Sequence, residues 1–216
     1  GALVGQVLRG EFRLIRLLGT GGFGEVYLAE QLGGTRVLRQ SVVKVLRAEG
    51  ARSRQSVEQF RAEAEKMARA SHPNIATMYS FWEEPDGRLV LAMEHAGQRD
   101  LAPELGRLGR MGVERALELV RQASEGLHAA HRRGVVHRDI KPANLMLSDE
   151  DGREVVKVID FGVARLRRTD ADATVASVSG RGFFTGTPAY ASPEQAEDHD
   201  LDARSDVYSL GVVLYD

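Results

Sequence analysis

The chain has 216 residues, enough for one or two domains with a core, and its 43% apolar content is ordinary for a globular protein. A formal net charge of −2 gives no basis for nucleic-acid binding, while the lack of cysteine excludes disulfides and thiolate metal centres and is compatible with an intracellular setting. No apolar run approaches the roughly 18 residues of a membrane span and no signal peptide is visible; the start at Gly1 and an apolar helical pattern running up to Asp216 lead us to expect a segment of a longer chain.

Phe12 to Leu18 is an apolar run of β-type residues, followed by glycines and then Glu25-Val26-Tyr27-Leu28, a strand–turn–strand pattern. Gly19, Gly21 and Gly24 spell G-x-G-x-x-G, a spacing that lets bare backbone amides approach phosphate oxygens. Taken alone, a glycine-rich hairpin explains it equally well. A dinucleotide fold would need a helix to open at the third glycine, and a β-like stretch follows instead. Ser41 to Leu46 reads as a buried strand with one lysine, Lys44, which by itself is an edge or snorkelling residue. Ser56 and Gln59 have capping-box spacing, so a helix is expected to start at Ser56 and to carry Val57, Phe60, Ala64 and Met67 on one face; Glu63 lies on it. Two strands follow between Ile75 and Met93, around the turn Glu84-Pro85-Asp86-Gly87.

Leu117, Val120, Ala123, Leu127 and Ala130 predict a long amphipathic helix, with Gly134 past its end. It leads into His137-Arg138-Asp139-Ile140-Lys141-Pro142-Ala143-Asn144. Here a carboxylate, Asp139, can accept a proton from an attacking hydroxyl, and the Asn144 amide oxygen can ligate a hard cation. Lys141 is a point charge suited to a phosphate. Two short strands, Leu145 to Leu147 and Val155 to Ile159, precede Asp160-Phe161-Gly162, which supplies a second carboxylate. Residues 165–183 are polar and aperiodic, a loop long enough to expect a function. Ser192, Pro193 and Gln195 form a helix start, and Asp202 to Tyr215 predicts a helix that is apolar almost all round.

The set and its order resemble the protein kinase family: G-x-G-x-x-G, Lys44, Glu63, H-R-D-x-K-P-x-N, D-F-G, G-T-x-x-Y-x-x-P-E over Gly186 to Glu194, and Asp206. The resemblance covers about residues 9–216, and K-P-x-N with G-T before P-E is similar to the Ser/Thr branch, most like its bacterial members. It implies an α+β, two-lobed fold: residues 9–95 as a small lobe of five antiparallel strands and one helix, and 96–216 as a mainly helical, incomplete large lobe. It implies transfer of the γ-phosphoryl group of ATP to protein hydroxyls, with Mg²⁺, or Mn²⁺ in its place. In that pattern Asp139 is the base, Lys141 steadies the γ-phosphate, and Thr187 contacts both. Lys44, paired with Glu63, holds the α- and β-phosphates, and Asn144 and Asp160 hold the metal. The nucleotide is covered by Leu18, Gly19, Thr20, Gly21, Gly22, Phe23 and Gly24, and its adenine lies among Val26, Val42, Met93, Glu94, Ala96 and Met146. Val42 departs from the alanine usual there and adds bulk over the adenine. Asp206 anchors the H-R-D backbone. The arginine before the catalytic aspartate, Arg138, marks relatives whose loop is ordered by phosphorylation, with Thr174, Ser177 and Ser179 as candidates ahead of Thr169 and Thr185.

Partners implied are ATP and protein substrates, with dimerisation for autophosphorylation, no nucleic acid and no membrane span within this segment. The implied location is cytoplasmic, with any tether lying outside it. A kinase-fold scaffold without turnover and a small-molecule phosphotransferase are the alternatives. The intact Lys44, Asp139, Asn144 and Asp160 weigh against the first, and the G-T-x-x-Y-x-x-P-E segment against the second.

Overall fold

The computed structural model describes residues 1–21, 24–46, 54–97, 99–161, 188–197 and 199–216. The chain divides into two compact units, Gly1–Ser53 with Thr77–His95, and Arg54–Ala76 with Ala96–Asp216. The helix that the sequence reading grouped within residues 9–95 therefore falls with the larger unit.

The smaller unit is one antiparallel sheet. Its strands are β1 (Val7–Leu8), β2 (Phe12–Gly21), β3 (Gly24–Gly33), β4 (Arg36–Leu46), β5 (Met78–Glu83) and β6 (Leu89–Glu94), in the order β1-β2-β3-β4-β6-β5. The five strands expected within residues 9–95 are β2 to β6, and the two-residue β1, just before residue 9, adds a sixth at the edge. Alternation along β3, β4 and β6 sorts side chains onto two faces. Tyr27, Ala29, Val43, Val45, Val90 and Ala92 join Leu8, Phe12 and Leu14 in a buried core. Phe12 stacks on Trp82 at 5.5 Å, closing that core from the far strand. Direct pairing of Val26 with Lys44, Leu28 with Val42, Val42 with Met93 and Lys44 with Leu91 puts these six residues together on the opposite face.

The larger unit contains α1 (Arg54–Ala68), β7 (Arg99–Asp100), α2 (Leu101–Leu108), α3 (Val113–His131), β8 (Leu145–Glu150), β9 (Arg153–Val158), α4 (Pro193–Ala196) and α5 (Ala203–Tyr215). β7, β8 and β9 form a small antiparallel sheet. α1 begins two residues before the expected cap, so Ser56 lies inside the helix; Arg54 and Gln55 are good helix formers, which lets it extend backwards. Asp100 caps α2 and Asp202 caps α5, each accepting the N–H two residues on. Ser192 and Gln195 make the reciprocal capping box of α4. Among the described residues no helix is long and apolar enough to cross a membrane.

The buried face of α3 differs from the expected stripe. It consists of Leu119, Gln122, Ala123, Gly126, Leu127 and Ala130, whereas Leu117 is 53% exposed. A polar knot explains the shift. The Gln122 Oε1 accepts from Asn74 Nδ2 at 3.2 Å and from the Val156 N–H at 2.9 Å, while its Nε2 donates to the Glu154 carbonyl at 3.0 Å. Asn74 Nδ2 also donates to the Val156 carbonyl at 2.8 Å, and the Asn74 carbonyl accepts the Val158 N–H at 2.9 Å. Both ends of the Gln122 amide and the Asn74 side-chain nitrogen thus have partners, so a glutamine is buried there without an unmet hydrogen bond. Apolar periodicity carries no sign of such an arrangement. Gly126 lies beside it: a Cβ at this position would fall 2.6 Å from the Asn74 carbonyl oxygen.

Candidate active site

The stretch 137–144 is built on the end of α3 and a 3₁₀ turn, Pro142–Asn144. Its backbone is held by one buried carboxylate. Asp206, in the first turn of α5 and 1% exposed, accepts the His137 N–H at Oδ2 and the Arg138 N–H at Oδ1, both at 2.8 Å. The same Oδ2 meets His131 Nε2 at 2.7 Å, so the imidazole N–H donates to it. Arg138 takes a left-handed backbone conformation with φ 68°, which is unfavourable for a residue with a side chain.

Buried His137 ties this stretch to the D-F-G residues. Its Nδ1 accepts the Asp139 N–H at 3.2 Å, which leaves Nε2 to donate to the Ile159 carbonyl at 2.7 Å. The Phe161 ring meets the His137 ring edge-on at 4.6 Å. The Ile159 N–H in turn donates to the Asn144 carbonyl at 3.0 Å. Asn144, directly before β8, and Asp160, two residues past the end of β9, thereby come to the same end of this strand pair, where Leu145 faces Val158, and Asp160 has φ 66°.

Around Asp139 the geometry is specific. Lys141 Nζ lies 2.9 Å from Oδ2. Asn144 Nδ2 donates to the Asp139 carbonyl at 2.6 Å and reaches Oδ2 at 3.4 Å. The Asn144 amide nitrogen is thus committed to Asp139, and its oxygen is the atom left to face a cation. One amide oxygen and one carboxylate suit Mg²⁺, which is commonly held by one or two side chains and completed by phosphate oxygens and water. Among the described residues no group of three or more His, Cys, Asp or Glu side chains gathers into a metal centre.

Within the smaller unit, Gly24 has φ 156° and a Cβ there would lie 2.0 Å from the Val45 carbonyl oxygen, so only glycine fits. Gly19 and Gly21 differ: an added Cβ would meet nothing within 4 Å, and neither has a left-handed φ. Neither packing nor a turn demands glycine at these two positions. Their backbone is bare and open to approach. Leu18 and Thr20 are exposed beside them. Half-buried Val26, Val42 and Lys44 share one face with Met93, which is 8% exposed. Glu94 ends β6, and its carboxylate accepts the Thr77 N–H at 3.0 Å.

In the larger unit, Ala96 is buried and Met146 half-buried on β8, opposite Lys157 and Asp100. Glu63, 6% exposed on α1, has its Oε1 3.7 Å from Arg138 Nη1. Lys44 belongs to the smaller unit and Glu63 to the larger. Gly22, Phe23, Gly162, Gly186 and Thr187, and the hydroxyls of Thr169, Thr174, Ser177, Ser179 and Thr185, lie outside the described residues.

Three contributors were not singled out as site residues from the sequence. His131 sits six residues before His137 on the last turn of α3, and only the fold brings it to Asp206. Gln195 was read as a cap alone, yet its Nε2 also donates to the Arg138 carbonyl at 2.7 Å. Ser205 donates to Glu194 Oε1 at 2.5 Å, and this bond holds the Glu194 carboxyl below its ordinary pKa.

The family model described as protein kinase domain matches residues 12–216. The chain is 40% identical over 217 residues to the serine/threonine-protein kinase PknA of Mycobacterium tuberculosis, covering 99% of this chain and 48% of that protein. It is 38% identical to the serine/threonine-protein kinase pkn3 of Myxococcus xanthus, covering 98% of this chain and 38% of that protein. It is 42% identical to PknB of Mycolicibacterium smegmatis, covering 98% of this chain and 33% of that protein. The chain thus spans less than half the length of these relatives. Among solved structures, the PknI kinase domain of M. tuberculosis is similar with a TM-score of 0.72 and 28% identity, over 97% of this chain and 74% of that one.

Proposed function

Because the chain belongs to the protein kinase family, we propose that it transfers the γ-phosphoryl group of ATP to serine and threonine hydroxyls of proteins. The observation that carries this reading is the environment of Asp139: a carboxylate with Lys141 on one oxygen and Asn144 on its own carbonyl, on a backbone clamped by Asp206. Such transfer is loose and dominated by charge, so the protein's work is positioning and neutralisation.

Asp139 orients the hydroxyl and accepts its proton. Lys141 neutralises charge beside that carboxylate. Asn144 and Asp160 supply the oxygens for the divalent cation, which we take to be Mg²⁺, with Mn²⁺ as a substitute. ATP provides the phosphoryl group. Lys44, to which the family pattern assigns Glu63, holds the α- and β-phosphates; Gly19 to Gly24 present backbone amides, and Thr187 sits with Asp139 and Lys141. Val26, Val42, Met93, Glu94, Ala96 and Met146 receive the adenine. The small lobe is read as residues 9–95 and the large lobe as 96–216, in the cytoplasm, with dimerisation serving autophosphorylation among Thr174, Ser177 and Ser179.

The test is phosphate transfer from labelled ATP to Ser-, Thr- and Tyr-containing peptides by the full-length protein. Asp139→Asn is expected to leave the fold and ATP binding intact and to lower the rate by roughly 10² to 10⁴, the usual contribution of a general base. Near wild-type turnover by that variant would remove Asp139 from the mechanism, and transfer confined to Tyr would remove the Ser/Thr assignment. Mass spectrometry before and after phosphatase treatment tests the loop sites.

A further inference from the structure

Gln195 uses both ends of its amide. Its Oε1 accepts the Ser192 N–H at 3.0 Å, completing the capping box of α4. Its Nε2 donates to the carbonyl of Arg138, 57 residues away, at 2.7 Å. Flipping the amide would set Nε2 against an N–H and Oε1 against a carbonyl oxygen, so the two partners fix one orientation. The carbonyl it holds belongs to the residue with φ 68°, directly before Asp139.

The surrounding bonds show what that grip does. Asp206 fixes the amides of His137 and Arg138 on one side of the left-handed residue. On the other side, the peptide joining Arg138 to Asp139 has its N–H on His137 Nδ1 and its C=O on Gln195. The plane of this peptide sets the direction in which the Asp139 side chain leaves the backbone. A left-handed non-glycine residue persists only where its surroundings over-determine it. Asp206 restrains the amide side, and Gln195 supplies the carbonyl restraint.

We propose that Gln195 is a positioning residue for Asp139, linking the start of α4 to the catalytic loop through the Arg138 carbonyl; this rests on the phosphoryl-transfer reading above. The side chain must present one donor and one acceptor at the same reach. A glutamate keeps the acceptor for Ser192 and loses the donor for Arg138. When protonated, its carboxyl recovers the donor.

The experiment uses the full-length protein with MgATP and a serine peptide, measuring kcat and both KM values across pH. Wild-type transfer is the first readout, and if it is absent the kinase reading itself fails. Given wild-type activity, Gln195→Glu is expected to lower kcat at neutral pH by about ten- to a hundredfold, the scale of an ångström-level misplacement of a reacting group. The KM for ATP should stay within about twofold, because nucleotide binding is not what the bond serves. The ratio of variant to wild-type kcat should climb as pH falls, since the added carboxyl regains its donor on protonation. Gln195→Met, of similar length with neither bond, should lose kcat with a pH-independent ratio, and it serves as the test if the glutamate variant does not fold. Unchanged kcat in the variants, a loss confined to the peptide KM, or a flat pH ratio for Gln195→Glu would each overturn the proposal.

Discussion

The Arg138 guanidinium lies 3.7 Å from the Glu63 carboxylate, with the two side chains 17% and 7% exposed. A cation buried beside Asp139 costs desolvation unless an anion meets it, which is the role a loop phosphate would fill. In the structure a carboxylate is already there, so a phosphate reaching Arg138 would have to share it with Glu63. We therefore expect measurable coupling between the pair. In a double-mutant cycle of Arg138→Met and Glu63→Gln, read by denaturant unfolding, the double variant should lose about 1 kcal/mol less than the sum of the singles. Strict additivity would show that the approach carries no energy.

Val42 is half-buried on the sheet face that also carries Lys44 and Met93, directly opposite Leu28 and Met93. Trimming methyls from a packed position normally weakens it. Here the family's usual residue is alanine, and the valine stands on the face that we assign to adenine. Val42→Ala should tighten ATP binding by about threefold, well under the 1.4 kcal/mol of a tenfold change. Calorimetric titration of both proteins with MgATP checks this. Weaker binding by the alanine variant would mean that the pocket is fitted to valine.

The strands were legible because their signals are local. Apolar runs of β-type residues placed β2, β3 and the second half of β4, and the spacing from Asp139 to Asn144 needs only a short turn. The Ser192–Gln195 cap was readable for the same reason. What could not be read was long-range polar pairing. His131 and Asp206 are 75 residues apart, and Gln195 and Arg138 are 57 apart. Burial of Gln122 reverses the expectation for its residue type, and it shifted the inward face of α3 away from Leu117. The start of α1 was missed because a serine with the right spacing to a glutamine resembles a cap wherever the preceding residues also favour helix.

Arg115 on α3 donates twice to Glu154 on β9, both at 2.7 Å, and once to Glu104 on α2 at 2.9 Å. The paired guanidinium holds the Glu154 carboxyl below its ordinary value of 4.5. A carboxyl depressed in the folded state stabilises it above the unfolded pKa, and that share is lost as pH falls through the folded value. Both side chains are about a third exposed, so solvent screening limits the effect. Glu154→Gln should cost about 1 kcal/mol at neutral pH, and the gap to wild type should close only below about pH 4.5. Urea unfolding at a series of pH values measures it. A gap that persisted undiminished below about pH 3 would assign the cost to packing rather than charge.

Gly126 offers a test in which two effects have opposite sign. In the middle of a helix, glycine to alanine ordinarily stabilises by roughly 1 kcal/mol, because the backbone loses freedom in the unfolded chain. Gly126 is buried in α3, and its added Cβ would stand 2.6 Å from the Asn74 carbonyl oxygen and 3.1 Å from its carbon. These are backbone atoms, and that oxygen already accepts the Val158 N–H. The segment cannot withdraw without stretching that bond and the bonds from Asn74 Nδ2 to Gln122 and Val156. Overpacking of this kind costs roughly 1–3 kcal/mol, and strain on the knot adds to it. The net change for Gly126→Ala is therefore expected to be destabilising by about 1–2 kcal/mol, with the clash outweighing the helix propensity. Thermal and urea unfolding of the full-length protein read the sign directly. An alanine variant as stable as wild type, or more stable, would mean that α3 and the 74–76 segment move apart without cost, and that the knot is not what fixes the face of this helix.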